Sequence, residues 1–457
     1  MDAGSIIIGS VKKLTKSFKG GVRLIEHKYT KNSPIERCPD PDTVSISLTQ
    51  HIGVMCRPTV KAGDRVLEGQ LIGEIPGGLG CPVHASVSGT VLRIEEVTTA
   101  AGGTSYNIVI ENDKQHCISP EVQTFGKKLS EAGSDEIIAA VRRAGIAGMG
   151  GTAFPTHAKL SASRGKADRI IVNCCESEPF VCANHRIILE YPEEVIAGAK
   201  IMAAAVGVRE VWLAVESDRR DEAASLSRHL QNGGIVSVRK ISSKYPSGSE
   251  KQLVSALMGV EIGEGKTPID AGCVVFNSET CMAVYEAFAK GLPLIGRVVT
   301  VDGDCVAQPK NLLVPIGTSM SHLIDCCGGL CNEPKKIIAG GPMMGTAQWD
   351  PDAPITKNTS AVLVLSKFFD RESKLPPVCI RCGRCVKACP MKLMPLKIAA
   401  YSDRGQLDKC ESFGALSCIE CGCCTYVCPG GVPVAQTVAR AKSAIIAKRR
   451  RAVSQGK

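Results

Sequence analysis

C-I-R-C-G-R-C-V-K-A-C-P (379–390) and C-I-E-C-G-C-C-T-Y-V-C-P (418–429) repeat one pattern, C-x2-C-x2-C-x3-C-P. Thiolates on such a tight run satisfy three corners of an iron–sulfur cube, and a more distant cysteine closes the fourth. The two runs predict a pair of [4Fe–4S] clusters and make electron transfer the leading function. In two-cluster ferredoxins the fourth cysteine of each run ligates the other cluster. That rule assigns Cys379, Cys382, Cys385 and Cys428 to one cluster, and Cys418, Cys421, Cys424 and Cys389 to the other. Cys423 is out of register and is expected not to ligate. Structural zinc sites do not use this triple spacing followed by proline.

Residues 390–417 separate the runs, contain Cys410 and carry a predicted helix, MPLKIAAYSD (394–403). Beyond the second run, AKSAIIAKRRRAVSQGK (441–457) holds much of the net charge of +10 and reads as a solvated helix end. With 4% aromatic residues and no base-stacking pattern, a nucleic-acid partner is not expected. The 457 residues exceed one ordinary core and predict about two to four domains. Twenty-three cysteines, eight of them in the runs, do not fit a secreted disulfide scaffold of this length and point to a reducing compartment. The N-terminal MDAGSIIIGSVKKLTKSFKG has no signal-peptide pattern, and the most apolar stretch, 195–208, is short and interrupted by Lys200. No membrane span is expected.

Toward the N-terminus, residues 46–110 are strand-like and rich in turns. KAGDRVLEGQ (61–70) and ASVSGTV (85–91) resemble the biotinyl/lipoyl barrel–sandwich fold, without the modified lysine of its hairpin tip. His51, His84, Cys56 and Cys81 match no zinc spacing and are expected to be ordinary packed or exposed residues. Residues 136–290 alternate helix and strand at βαβ spacing: a helix in DEIIAAVRRAGIAG (135–148), a strand in RIIVN (169–173), a long helix over 188–207, a strand in VREVWLAVES (208–217), a helix over 218–233 and a strand in IVSVRKIS (235–242). The loop GIAGMGGTAFPTHAK (145–159) is neither a dinucleotide fingerprint nor a P-loop. Its glycines let backbone N–H groups approach a phosphate or a flavin edge, and Lys159 supplies charge.

That loop followed by NCCESEP (173–179), YPSGSEKQ (245–252) and FNSET (276–280) resembles the flavin domain shared by two families, the flavoprotein subunit of respiratory complex I and the RnfC subunit of the Rnf ion-translocating electron transport complex. The order of units matches the Rnf family. The resemblance implies a multidomain α/β and α+β chain: a barrel–sandwich hybrid at 1–115, an FMN/NADH-binding domain at 130–290, a β-grasp-like domain at 291–348, a linker and packing segment at 349–370, a double [4Fe–4S] ferredoxin-like domain at 371–440 and a basic tail at 441–457. It implies that Gly148, Gly150, Gly151 and Lys159 cradle FMN, that Asn173 and Glu176 reach the flavin region, that Tyr245 and Gly248 border the isoalloxazine, and that Asn277 and Thr280 contact the ribityl–phosphate part. Phe154 is expected to stack on NAD(H) and Glu178 to hydrogen-bond it.

Met149 and Cys175 stand where the complex I flavoprotein has arginine and aspartate. Cys174 and Cys175 are expected to be small packed side chains. Cys326, Cys327 and Cys331 lack a fourth partner for a further cluster, and GGPMMG (340–345) reads as a glycine turn beside the flavin domain. A flavin takes a hydride as two electrons and passes them singly to clusters, so no acid–base pair or nucleophile is demanded. By the resemblance, the chain is a peripheral subunit on the cytoplasmic side of the cell membrane. Its partners are the complex's membrane subunits and ferredoxin-like subunit, with ferredoxin as indirect donor and Na+ or H+ moved by the complex. The rival readings are a soluble relative serving a corrinoid or proline reductase, and a relay or assembly module that binds no nucleotide.

Overall fold

Alternation of apolar and polar residues builds the first unit of the computed structural model, which describes residues 16–98, 104–369 and 376–454. The N-terminal stretch 1–15, the segment 370–375 and the last three residues, each touched by expectations above, lie outside the described residues. Strand β1 (Ile35–Arg37) joins a distant sheet. Next come β2 (Thr43–Ser47), β3 (Arg57–Pro58), β4 (Arg65–Val66), β5 (Leu71–Glu74), β6 (Val83–His84), β7 (Gly89–Thr98) and β8 (Thr104–Asn112). They form two small antiparallel sheets, ordered β2-β8-β7-β4 and β3-β5-β6. Period-two patterning turns Val44 and Ile46 of β2 inward, where they meet Ile72, Val83, Ile108 and Ile110. This is the arrangement expected of a barrel–sandwich. Cys56 donates to the Cys81 carbonyl and His51 is bonded to Val54 O, so the four candidate zinc residues are packed instead.

The second unit places helices around a parallel sheet. Helix α1 (Ser134–Arg143) leads through the glycine loop to α2 (Thr156–Ser163) and β9 (Arg169–Asn173). Then follow α3 (Ala183–Glu190), α4 (Pro192–Val206), β10 (Val211–Glu216), α5 (Arg220–Arg228), β11 (Val236–Ile241), α6 (Glu250–Met258), β12 (Cys273–Asn277) and α7 (Ser278–Ala289). The strands are ordered β11-β10-β9-β12, all parallel. Every residue of β10 and β12 is buried, as a sheet covered on both faces requires. The single helix expected over 188–207 is two helices. Pro192 has no N–H and cannot continue α3, but it fits the first position of α4. α4 lies close against α7, with Gly198 at the contact.

The third unit is a six-stranded sheet ordered β1-β14-β13-β17-β15-β16, with β13 (Gly296–Asp302), β14 (Lys310–Pro315), β15 (Lys336–Ala339), β16 (Thr346–Gln348) and β17 (Ala361–Leu365), and with α8 (Met320–Cys326) beside it. Two expectations change here. The segment 349–370 is not a linker, because β17 is fully buried between β13 and β15. Residues 35–37 complete this sheet rather than the barrel. Buried charges bind the units together. Lys357 donates to the carbonyls of Pro82 (2.9 Å) and Gly145 (2.7 Å), and Arg297 bonds Glu279 (2.6 Å) and the Lys357 carbonyl (2.8 Å).

The last unit is helical: α9 (Arg384–Ala388), α10 (Pro395–Ser402), α11 (Leu407–Ser412), α12 (Cys423–Tyr426) and α13 (Val434–Ser454). The helix expected at 394–403 is α10. No break falls at residue 441, because α13 runs through it and buries Val434, Val438, Ala441 and Ile445 at helical spacing. Lys448 and Arg449 pair with Asp408 and Glu411, so the basic end is partly neutralised by the segment between the runs.

Candidate functional site

In an open parallel sheet, ligands bind beyond the carboxyl ends of the strands where the strand order reverses. Here that point lies between β9 and β12, the first and last strands of the unit, which pair with Asn173 opposite Asn277. Both asparagines have defined roles. Asn277 caps α7, accepting from Glu279 N at 2.9 Å. Asn173 Nδ2 donates to the Gly248 carbonyl (2.9 Å), and its Oδ1 accepts from Cys175 N (3.0 Å). The glycine loop folds over this edge. Gly148 N donates to the Phe154 carbonyl (2.8 Å), and Met149 N donates to Thr280 Oγ1 (3.0 Å). A Cβ on Gly150 would lie 3.3 Å from Asn277 Cβ, and one on Gly248 3.1 Å from Asn173 Nδ2. Gly151 is open, with nothing within 4 Å. Lys159 is paired with Glu250 and lies over the Phe276 ring. Thr156, at the start of α2, keeps a buried hydroxyl without a partner among the described residues. Glycine positions that side chains would fill, a capped helix N-terminus and an unpaired hydroxyl fit a phosphate-bearing flavin.

Three predicted residues are engaged with protein instead. Glu176 accepts from Asn184 N (3.0 Å) and His185 N (3.1 Å), capping α3. Glu178 accepts from Met343 N and Met344 N, both at 3.0 Å, which docks the GGPMMG turn. Burial pushes the Glu178 carboxyl up to about 7. Tyr245 is buried and donates its hydroxyl to the Cys421 carbonyl at 2.8 Å. Phe154 is half-buried on the glycine loop. Cys174 and Cys175 are buried in different cores, as adjacent residues leaving a strand must be, and both thiols are pushed up by burial.

Several residues at this edge carried no sequence expectation. Lys28 donates to the carbonyls of Glu176 and Glu178 (2.8 Å each) and also to Val181 O, holding the 176–181 loop. Glu216, at the end of β10, accepts from Ser247 Oγ (2.7 Å) and is pushed by burial to about 7. Glu222 faces His185 Nδ1 at 2.6 Å; burial and then the Glu176 charge raise it to about 8. Burial lowers His185 to about 4, so the pair favours its neutral forms. An acid ending an all-apolar strand is the signal that would have found Glu216; Lys28 had none.

The cysteine runs meet the flavin unit at a seam. Cys389, Cys418, Cys421 and Cys424 line one small cavity, together with Cys423, Ile398 and Val438. Thus the last cysteine of the first run sits with three of the second. Burial, and to a lesser extent the neighbouring Cys428, pushes the Cys385 thiol up, and Cys379 and Cys382 are exposed. Cys423 is buried with Val22, Tyr245 and Ala388. Gly21 N donates to Ala388 O (2.8 Å), and a Cβ on Gly422 would meet the Met343 carbonyl at 2.8 Å. Met343 therefore faces Glu178 on one side and the second run on the other.

Four stretches match known families: 16–115 the RnfC barrel sandwich hybrid domain, 141–286 the Nuo51 FMN-binding domain, 298–347 the SLBB domain and 378–432 the 4Fe-4S dicluster domain. The subunit designated C in the Na(+)-translocating ferredoxin:NAD(+) oxidoreductase complex of Acetobacterium woodii is 40% identical over 95% of this chain and 98% of its own length. Its namesake in the proton-translocating complex of Clostridium ljungdahlii is 41% identical over 86% and 85%, and that of the ion-translocating oxidoreductase complex of Rhodobacter capsulatus 38% over 93% and 82%. With all four domains in order and nearly the full length aligned, the chain belongs to the RnfC family of ion-translocating oxidoreductase complexes, with an FMN-binding domain and a 4Fe–4S domain in one electron-transfer subunit.

Proposed function

We propose that this chain is the peripheral NAD(H)-binding subunit of a ferredoxin:NAD+ oxidoreductase complex and carries electrons between FMN and two [4Fe–4S] clusters. The observation that carries the proposal is the seam joining the β9–β12 edge to the second cysteine run through Tyr245 and the 340–345 turn. Gly148, Gly150, Gly151, Lys159, Asn173, Gly248, Asn277 and Thr280 hold FMN. Glu176 and Tyr245 act as positioning residues, fixing the loops on either side. Phe154 faces NAD(H), and Glu178 positions the 340–345 turn beside it. Bound FMN exchanges a hydride with the nicotinamide and single electrons with the clusters. The chain's own residues orient the two rings, exclude water and set potentials by burial and hydrogen bonds.

The crossed cysteine sets are the ligands: Cys379, Cys382, Cys385 and Cys428 for one cluster, and Cys389, Cys418, Cys421 and Cys424 for the other. The second set lines the shared cavity and adjoins Tyr245, so its cluster is the one next to the flavin. The exposed Cys379 and Cys382 put the first cluster on the side open to partners. Those partners are the membrane subunits and the ferredoxin-like subunit, with ferredoxin behind them. Among the described residues no helix is long and apolar enough to cross a membrane. In this reading the partners carry the ion path and the chain docks on their cytoplasmic face.

The test is anaerobic. Iron, sulfide and FMN are quantified in the purified chain, NADH is added, and flavin bleaching and cluster EPR signals are followed. About eight iron with one FMN, and clusters reduced by NADH, support the path. Eight iron with no flavin and no response to NADH would overturn it in favour of a relay module.

A further inference from the structure

Away from the flavin edge and the cysteine cavity, Cys38, His322 and Cys326 bring two sulfurs and a ring nitrogen within 4.8 Å of one another. Two distant stretches supply them. Cys38 directly follows β1, and its N–H donates to Leu313 O at 2.9 Å, so sheet pairing fixes its backbone. His322 and Cys326 are four residues apart on α8, which stacks them on one helical face. His322 Nε2 lies 2.9 Å from the Pro39 carbonyl oxygen. A carbonyl only accepts, so Nε2 donates, which leaves Nδ1 as the ring nitrogen open to a cation. Metal-binding histidines are held in this way, with the second nitrogen donating to a backbone carbonyl.

We propose that Cys38, His322 and Cys326 bind a thiophilic divalent cation of the zinc class, with the fourth position taken by water. Two sulfurs and an imidazole nitrogen are a donor set that favours zinc over magnesium or calcium. Zinc–sulfur bonds of about 2.3 Å at tetrahedral angles put the two sulfurs about 3.8 Å apart, so a closure of about 1 Å at most completes the site. Cys38 is 2% exposed, whereas His322 and Cys326 are partly exposed and leave an entry path. Without a cation, burial and the adjacent Cys326 sulfur push the Cys38 thiol up; a bound cation offsets both. Binding releases the two thiol protons to solvent and involves no oxidation. The cation clamps the strand before the barrel onto the β-grasp helix.

The experiment uses the full-length chain, purified anaerobically with thiols reduced and its iron and FMN retained. Cobalt(II) is titrated as the probe, and zinc is measured by elemental analysis after exposure to zinc and desalting. The expected result is one equivalent of zinc per chain and a thiolate–cobalt charge-transfer band. Both are lost in Cys326→Ser and in His322→Ala, with iron and FMN unchanged. Cys331→Ser, at an exposed cysteine outside this group, keeps both. Should Cys326→Ser fold poorly, as judged by lost iron, His322→Ala carries the comparison. A wild-type chain that takes up neither metal, or variants that bind as the wild type does, would overturn the proposal. So would a Cys38–Cys326 disulfide in the anaerobically isolated protein, which would make the group a redox pair.

Discussion

Replacing Gly198 by alanine asks whether helix packing sets the flavin edge. A Cβ built at Gly198 lies 1.7 Å from the Cys281 carbonyl oxygen and 3.1 Å from Cys281 Cα. Both are backbone atoms, so no rotamer relieves the clash. Ordinary contact begins near 3.4 Å, which requires α4 and α7 to separate by about 1.7 Å. Overpacking in a core costs about 1–3 kcal/mol, and alanine's better helix propensity returns about 1 kcal/mol. The larger effect is positional. α7 carries Thr280 near its start, Asn277 caps it, and Met149 of the glycine loop is bonded to Thr280. A misplacement of about 1 Å in a positioning element can cost about 100-fold. Gly198→Ala is therefore expected to weaken FMN binding by about 10- to 100-fold, with iron content intact. FMN per chain and fluorescence titration of the flavin-free protein read this out. Gly263→Ala is the control, since a Cβ there meets nothing within 4 Å. Wild-type FMN affinity and an unchanged melting temperature in Gly198→Ala would refute the reasoning.

Three further outcomes follow from the same structure. If ligation is crossed, Cys389→Ser combined with Cys418→Ser damages one cluster and leaves about four iron per chain, whereas uncrossed ligation leaves almost none. Glu222 is raised by burial to about 8, so its contribution to stability is full below the unfolded value of 4.5 and is lost as pH rises through about 8. Glu222→Gln should flatten that slope, raising the melting temperature relative to wild type more at pH 9 than at pH 6. Lys357→Met strands the buried carbonyls of Pro82 and Gly145, a loss of about 1–3 kcal/mol that lowers the melting temperature by several degrees. Because Gly145 opens the glycine loop, FMN should also dissociate faster from this variant, as measured by flavin release on dilution.

Local chemistry made much of this legible. The cysteine runs carry their own spacing, and the RIIVN strand its apolar centre. What stayed hidden depended on distant partners. Nothing around Ile35–Arg37 announces that it pairs with Asn311–Leu313, because a short edge strand takes its identity from its neighbour. The segment 349–370 is expected to be a linker and packing segment, yet AVLVL inside it is a central strand. Motif resemblance drew attention to Glu176, Glu178 and Tyr245 but not to the backbone groups they engage. Those partners, the start of α3, the 340–345 turn and the Cys421 carbonyl, come from other segments brought close by folding.

The pairing of β1 with β14 also has a consequence in time. Glu36 and Lys310, bonded across those strands, are 274 residues apart in the chain. At ribosomal speeds of about 5–20 residues per second, about 14–55 s pass between the synthesis of one strand and that of its partner. Through that interval Ile35–Arg37 is an open edge on the nascent chain, available to a chaperone or to the wrong strand. The β-grasp sheet is therefore among the last parts to assemble, and ribosome-bound fragments ending before residue 296 should be the species that aggregate.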